Sequence, residues 1–379
     1  MRHHLASEAR AETAVEAARA LVALHGTDPA SVFLAAWART RRADAAELER
    51  ALYGERSLVR ILGMRRTMFV VPTESAPIVH ASCTRAIAAQ QRRLLLQILS
   101  DAAIPESGDA TTWLEEVEEA ALRALRARGS ATAVELSADE PRLRRQLLLS
   151  EGKKYEALVN VTTRLLFLMA ADGSIIRGRP RGSWTSSQYV WHPIEAWLPG
   201  GLGNVPPEAA RPELVRSWLR AFGPAPVSDL RWWTGWTAAE LKSALAEVAT
   251  VEVDLDGVTG LALAGDLDPV QPPEPWAALL PALDPTVMGW ADRRWFLGDH
   301  ARALFDRSGN AGPSVWWDGR VVGGWAQRRD GEVVFRLLED VGREGLSAVE
   351  RVARELQTWL GPVRVTPRFR TPLEKELLA

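Results

Sequence analysis

The sequence predicts an α+β protein built from three tandem winged-helix units followed by a β-rich C-terminal subdomain. Three observations carry this. Short helical patterns followed by strand, turn and strand recur along the chain. Tight-turn pairs such as Asp256-Gly257 mark hairpins, and beyond Leu279 strand-like runs dominate until one long helix closes the pattern. Three short helices and a hairpin within about sixty residues make a helix-turn-helix with an added wing. A chain of 379 residues is long enough for several such units. The expected boundaries are 1–103 (first winged helix with a following helix), 110–198, 208–267 and 276–379.

Taken in order, residues 11–24 read as a helix. Asp28 then offers an N-cap, with Pro29 at the first helical position of a helix running toward Arg39. Asp44 caps a third helix over 45–53, with Gly54 past its end. Residues 57–71 read as two strands turning at Arg65-Arg66. In the second unit, helices are expected over 112–128, 132–136, 142–149 and 157–171, and strands over 175–179 and 184–191 around Pro180-Arg181-Gly182. The third unit reads as helices over 212–222, 230–234 and 238–248, then strands over 251–255 and 260–264. Strands over 314–317, 320–327 and 332–338 form an antiparallel sheet covered by a helix over 347–360. Residues 104–109, 199–207 and 268–275 read as linkers.

Composition narrows the function. A formal net charge of -2 and a pI near 6.4 exclude a uniformly basic coat, so any DNA surface must arise from local segregation of charge. The single cysteine, Cys83, reads as a core residue in a reducing, cytoplasmic setting. The N-terminal stretch lacks the apolar run of a signal peptide, and no run approaches membrane-spanning length. There is no P-loop, dinucleotide fingerprint, metalloprotease helix, Cys/His cluster or nucleophile elbow, so neither cofactor nor metal is expected. Sixteen tryptophans against three tyrosines supply flat faces for core packing or for base stacking. Trp232-Trp233 falls on a short helix; packing accounts for one of the pair, and the other is either core or an exposed wedge.

Two segments could carry chemistry. Residues 153–193 hold six basic residues (Lys153, Lys154, Arg164, Arg177, Arg179, Arg181) against two acids, and the tip Arg177-Gly178-Arg179-Pro180-Arg181-Gly182 suits phosphate contact. Arg65-Arg66 would be the equivalent contact on the first wing, whereas Arg368-Phe369-Arg370 reads as a frayed tail. The second segment is His25-Gly26-Thr27-Asp28-Pro29, expected where one helix ends and the next begins. Two readings of His25 stand here. It could close a helix end by bonding the last carbonyls, or, titrating near neutrality, it could hold a water with Thr27 as second partner.

Residues 21–39, the segment LVRILGMRRTMFVVP at 58–72, the stretch RGRPRGSW at 177–184, LLPALDPTVMGWADRRW at 279–295 and VWWDGRVVGGW at 315–325 resemble the HTH_42 winged-helix DNA-binding family. That family includes the AlkZ-like and YcaQ-like alkylpurine DNA glycosylases, and the resemblance runs in order over nearly the whole chain. It implies three winged helices and a β-rich part curved round a DNA-sized channel. It also implies a monofunctional glycosylase that hydrolyses the N-glycosidic bond of N7-alkylated purines in double-stranded DNA, alkylated or crosslinked, as a monomer. The family's catalytic signature is Gln-x-Gln or Gln-x-Asp before Asp-Pro; the matching positions here are His25-Gly26-Thr27. On that match His25 and Thr27 would position the attacking water. Arg65, Arg66, Arg177, Arg179 and Arg181 would hold phosphates. The alternative is a non-catalytic winged-helix protein that binds DNA or regulates transcription.

Overall fold

The computed structural model describes residues 1–42, 44–149, 152 and 156–379. Thr13 caps α1 (Ala14–Ala20) by accepting from the Glu16 N–H. The helix expected to reach residue 24 stops early, because Val22 takes a left-handed backbone (φ 65°). Leu24–His25 is instead a short strand, β1. Asp28 and Pro29 open α2 (Pro29–Trp37) as the sequence predicts, and all nine of its residues are buried. α3 (Ala45–Glu49) starts at the Asp44 cap and continues as a π-type turn to Gly54. β2 (Leu58–Leu62) and β3 (Met68–Pro72) pair antiparallel, and β1 joins β3 to give the order β1-β3-β2.

α4 (Ala76–Val79) leads through a π-type turn holding the buried Cys83 into α5 (Arg85–Asp101). α6 (Ala110–Arg128) is capped by Asp109, and α7 (Ala133–Asp139) by a Thr132/Glu135 capping box. The next expected helix, over 142–149, is not formed. Pro141–Arg144 make a 3-10 turn, and β4 (Gln146–Leu149) pairs with β5 (Ala157–Asn160), so α8 (Val161–Asp172) begins four residues later than expected. Leu147 is buried while Leu148 is exposed, a period of two that suits a strand rather than a helix. β6 (Ile175–Pro180) and β7 (Tyr189–Pro193) form the basic hairpin. Residues 184–188, expected in the second strand, lie in the connecting loop instead.

After α9 (Ile194–Trp197) come α10 (Pro207–Phe222), α11 (Val227–Thr234) and α12 (Ala238–Ala246). β8 (Thr250–Leu255) and β9 (Val258–Leu263) follow as a hairpin turning at Asp256-Gly257, both with positive φ, the geometry of a type I′ turn. The C-terminal part is one antiparallel sheet in the order β10 (Ala277–Leu280), β11 (Ser314–Trp317), β12 (Arg320–Gln327), β13 (Val333–Leu337). Three single-turn helices, α13 (Pro285–Met288), α14 (Arg294–Leu297) and α15 (Ala301–Leu304), connect its first two strands. α16 (Gly342–Leu360) covers the sheet as expected, and α17 (Pro372–Leu377) packs on β12. The chain after Arg368 is thus docked rather than frayed, with Thr371 and Glu374 almost fully buried.

One continuous core joins α1, α2, β1–β3, α10–α12 and the C-terminal sheet. A second core lies among α5–α8 and β7. At the heart of the first, the Arg39 guanidinium reaches both oxygens of Asp284 (2.9 and 2.6 Å) and Thr286 (2.7 Å), with both charged side chains wholly shielded from solvent. This clamp fixes the C-terminal end of α2 against the start of α13. The N-terminal end of α2 carries the His25–Asp28 turn, so the same clamp sets where that turn sits.

Candidate nucleic-acid interface

β1 delivers the chain from the sheet straight into α2, and the four residues of the turn are held from three sides. His25 pairs across to Phe69, and its ring packs edge-on against the Phe69 ring at 5.3 Å. It therefore does not close a helix end. Its Nδ1 has no hydrogen-bond partner among the described residues. Burial first, and the nearby Arg65 charge second, push its pKa down to about 3, so the imidazole is neutral at physiological pH instead of titrating there. The Gly26 N–H donates to the Met68 carbonyl (2.8 Å), and its own carbonyl accepts from Arg60 Nη1 (2.7 Å). A Cβ at Gly26 would lie 2.8 Å from that Nη1 and 3.3 Å from the Met68 oxygen, so the close approach requires glycine. Thr27 is half-buried at the bend. Asp28 uses both carboxylate oxygens: one caps α2 through the Ala30 N–H (3.1 Å), and the other accepts the Arg368 N–H (3.1 Å). Burial raises the Asp28 pKa, and these two donors oppose the rise.

The arginines singled out by sequence fall into two groups. Arg179 is paired with Glu49 (2.6 Å) and lies over Tyr53; Arg181 is paired with Glu135 (2.5 Å). Arg65, Arg66 and Arg177 make no ion pair among the described residues. Arg65 and Arg66 both adopt left-handed backbone (φ 52° and 59°) in the β2–β3 turn, and Arg65 is half-buried while Arg66 is exposed. Arg66 reaches Gln91 (3.4 Å) and lies near the Phe167 ring. Arg177 is enclosed by Met68, Tyr189 and Trp191, and burial lowers its pKa to about 10, leaving it cationic. Lys153 and Lys154 lie outside the described residues.

Three further arginines have no carboxylate partner among the described residues: Arg164, noted in the sequence only as part of the basic stretch, and Arg60 and Arg293, which sequence reading did not single out. Arg60 is only 4% exposed and lies over the Tyr189 ring. The signal was readable, since a lone cation sat inside the otherwise apolar strand Leu58–Leu62. These unpaired arginines feel one another. After burial, Arg65 lowers the pKa of Arg293, Arg66 that of Arg164, and Arg60 that of Arg177. In a chain slightly acidic overall, Arg60 and Arg65 stand beside the His25 turn, and the six arginines, which make no ion pair among the described residues, form a positive field suited to a polyanion. The loop between β6 and β7 is docked, not free. Trp184 stacks on Phe33 of α2 (4.7 Å, 21° between planes) and lies beside Trp359 of α16.

Among the described residues, no helix is long and apolar enough to cross a membrane. The family model described as DNA glycosylase AlkZ-like matches residues 18–359. A curated relative, an interstrand DNA cross-link repair glycosylase from Streptomyces sahachiroi, is 27% identical over 177 residues; the match spans 44% of this chain and about half (47%) of the relative's length. The solved structure of the Streptomyces sahachiroi DNA glycosylase AlkZ is similar in fold over 97% of this chain and 96% of its own, with a TM-score of 0.72 at 21% identity.

Proposed function

The chain belongs to the AlkZ-like DNA glycosylase family, and from that premise we propose that it hydrolyses the N-glycosidic bond of N7-alkylated purines in double-stranded DNA, crosslinked DNA included. The reading takes the protein as a cytoplasmic monomer of three tandem winged helices and a β-rich subdomain, divided at 1–103, 110–198, 208–267 and 276–379. Arg65, Arg66 and Arg177 would meet phosphates together with Arg60, Arg164 and Arg293; Arg179 and Arg181 would do so once released from Glu49 and Glu135.

The observation that carries the reading is the neutral, unpartnered His25 Nδ1 set inside this field of unpaired arginines. An N7-alkylated purine is already cationic, so the C1′–N9 bond breaks with its electron pair leaving on a neutral base. Water then needs only to be placed beneath C1′ and to give up a proton. A neutral Nδ1 can accept a hydrogen bond from that water, which an imidazolium could not, and the Thr27 hydroxyl would be the second hydrogen-bond partner. A pKa near 3 suits a hydrogen-bond acceptor that aims the water and passes its proton on to solvent.

Single-turnover incubation with a duplex carrying one N7-methylguanine is expected to release the free base and leave an abasic site. His25→Ala is expected to abolish release while DNA affinity changes little. Tight binding with no base released by the wild-type protein would sink the enzyme reading in favour of a non-catalytic DNA-binding or transcription-regulating protein. The depth of His25, only 6% exposed, is the observation that keeps this second reading in play.

A further inference from the structure

Two guanidiniums lie over the Trp232 ring. Its neighbour Trp233 faces the core at 4% exposure, while Trp232 is half-buried at the end of α11. Arg65 lies 3.8 Å and Arg293 lies 5.0 Å from the centre of its ring. Arg293 is steadied by donating from Nε to the Val287 carbonyl (2.9 Å) and by the Phe305 ring. Among the described residues, the Arg65 Nε has no hydrogen-bond partner and its guanidinium makes no ion pair. Two backbone features bring α11 and the β2–β3 turn this close. Arg65 and Arg66 are successive non-glycine residues in the left-handed region, a conformation that persists where function or packing demands it. Gly235, which ends α11 at φ 74°, abuts Arg65: a Cβ there would lie 3.2 Å from Arg65 Cγ.

We propose that Trp232 is a base-stacking platform, capped by Arg65 and Arg293 in the free protein and uncovered when DNA phosphates draw Arg65 away. The proposal rests on the DNA glycosylase reading above and adds to it the residue that supports the base unstacked beside the lesion. A guanidinium on an indole is a weak, exchangeable contact at a half-exposed site, whereas a phosphate offers the same guanidinium charge-assisted hydrogen bonds. The exchange leaves a π-face next to an unstacked base, and such stacking tolerates any base. Arg65 is also the charge that acts on His25, so one side chain connects the platform with the catalytic turn.

The probe is a duplex with one N7-methylguanine flanked on its 5′ side by 2-aminopurine, whose fluorescence rises when it loses its stacking neighbours. Wild-type protein is expected to raise that fluorescence on binding. Trp232→Leu, which keeps apolar volume without a π-face, is expected to remove the rise and to weaken binding about tenfold. Trp232→Phe is expected to keep most of the rise. Wild-type fluorescence with Trp232→Leu, at an unchanged thermal midpoint, overturns the platform; so does wild-type binding with no rise at all. Failure of the wild-type protein to bind the duplex overturns the DNA reading itself, and the separate affinity measurement tells that case from the others.

Discussion

His25 is closed in behind Phe69, and that burial has a cost that pH exposes. Its folded pKa, about 3, lies below the 6.5 of an unfolded histidine. The unfolded chain therefore binds the proton first as pH falls, and stability is lost progressively from about pH 6.5 down toward 3. Between pH 7 and pH 5 this one residue should remove about 2 kcal/mol. Half-buried His3, also held near 3, acts in the same direction. His25→Gln should flatten the decline by the His25 share, read from urea midpoints at the two pH values. An unchanged decline would show that the ring is hydrated in solution. At this scale the sequence singled out the turn but expected an imidazole that titrates near neutrality. Neither the orphaned Nδ1 nor the depressed pKa is visible until β3 covers β1. Arg60 was overlooked because its role depends on the Gly26 carbonyl, which the fold brings to it from 34 positions away.

Among the elements, the caps were legible and the short strands were not. Asp28-Pro29 and Asp44 act locally, so their side chains bond the helix they precede whatever the rest of the chain does. β1 is two residues long, and β4 and β5 are four each; strands this short exist only through their partners. The β6–β7 hairpin shows the same limit. Its arginines were conspicuous, yet Glu49 and Glu135 that neutralise Arg179 and Arg181 come from α3 and α7. Exposed pairs of this kind are weak and screened by salt, so DNA can compete for them. Replacing Glu49 and Glu135 together by glutamine should tighten duplex binding at low salt. Replacing Arg179 and Arg181 instead should make the fall of log affinity with log salt concentration shallower by about 0.9 for each of the two that meets a phosphate. An unaltered slope would remove Arg179 and Arg181 from the interface.

For the whole molecule, the joint between N-terminal and C-terminal parts turns on Arg39 and Asp284, 245 positions apart. Arg39→Ala strands a carboxylate in a dry core and should cost about 3–5 kcal/mol, whereas Arg39→Met with Asp284→Leu should recover most of it. Thermal or denaturant midpoints of the two variants decide this, and equal losses in both would show that packing, not charge, makes the joint. The existence of such a joint was not readable from the sequence, because Arg39 at a helix end and Asp284 before a proline each have an ordinary local explanation. The mixed helix-and-sheet class and the C-terminal sheet under its helix were readable, since both follow from periodicity along contiguous segments.

Asp28 receives one N–H from α2 and another from Arg368, near the far end of the chain. On the ribosome the turn bearing His25 emerges early, but its carboxylate stays half-satisfied until residue 368 has been made. The turn therefore gains its second anchor only when residue 368 is in place. A chain stopped after residue 366 should still grip duplex DNA through its unpaired arginines, since all six lie before that point. On the proposed role of His25 it should excise bases poorly, because the turn has lost its second anchor. Parallel affinity and single-turnover excision assays on that truncated chain would separate the two effects, and equal losses in both would instead make the last thirteen residues part of the grip on DNA.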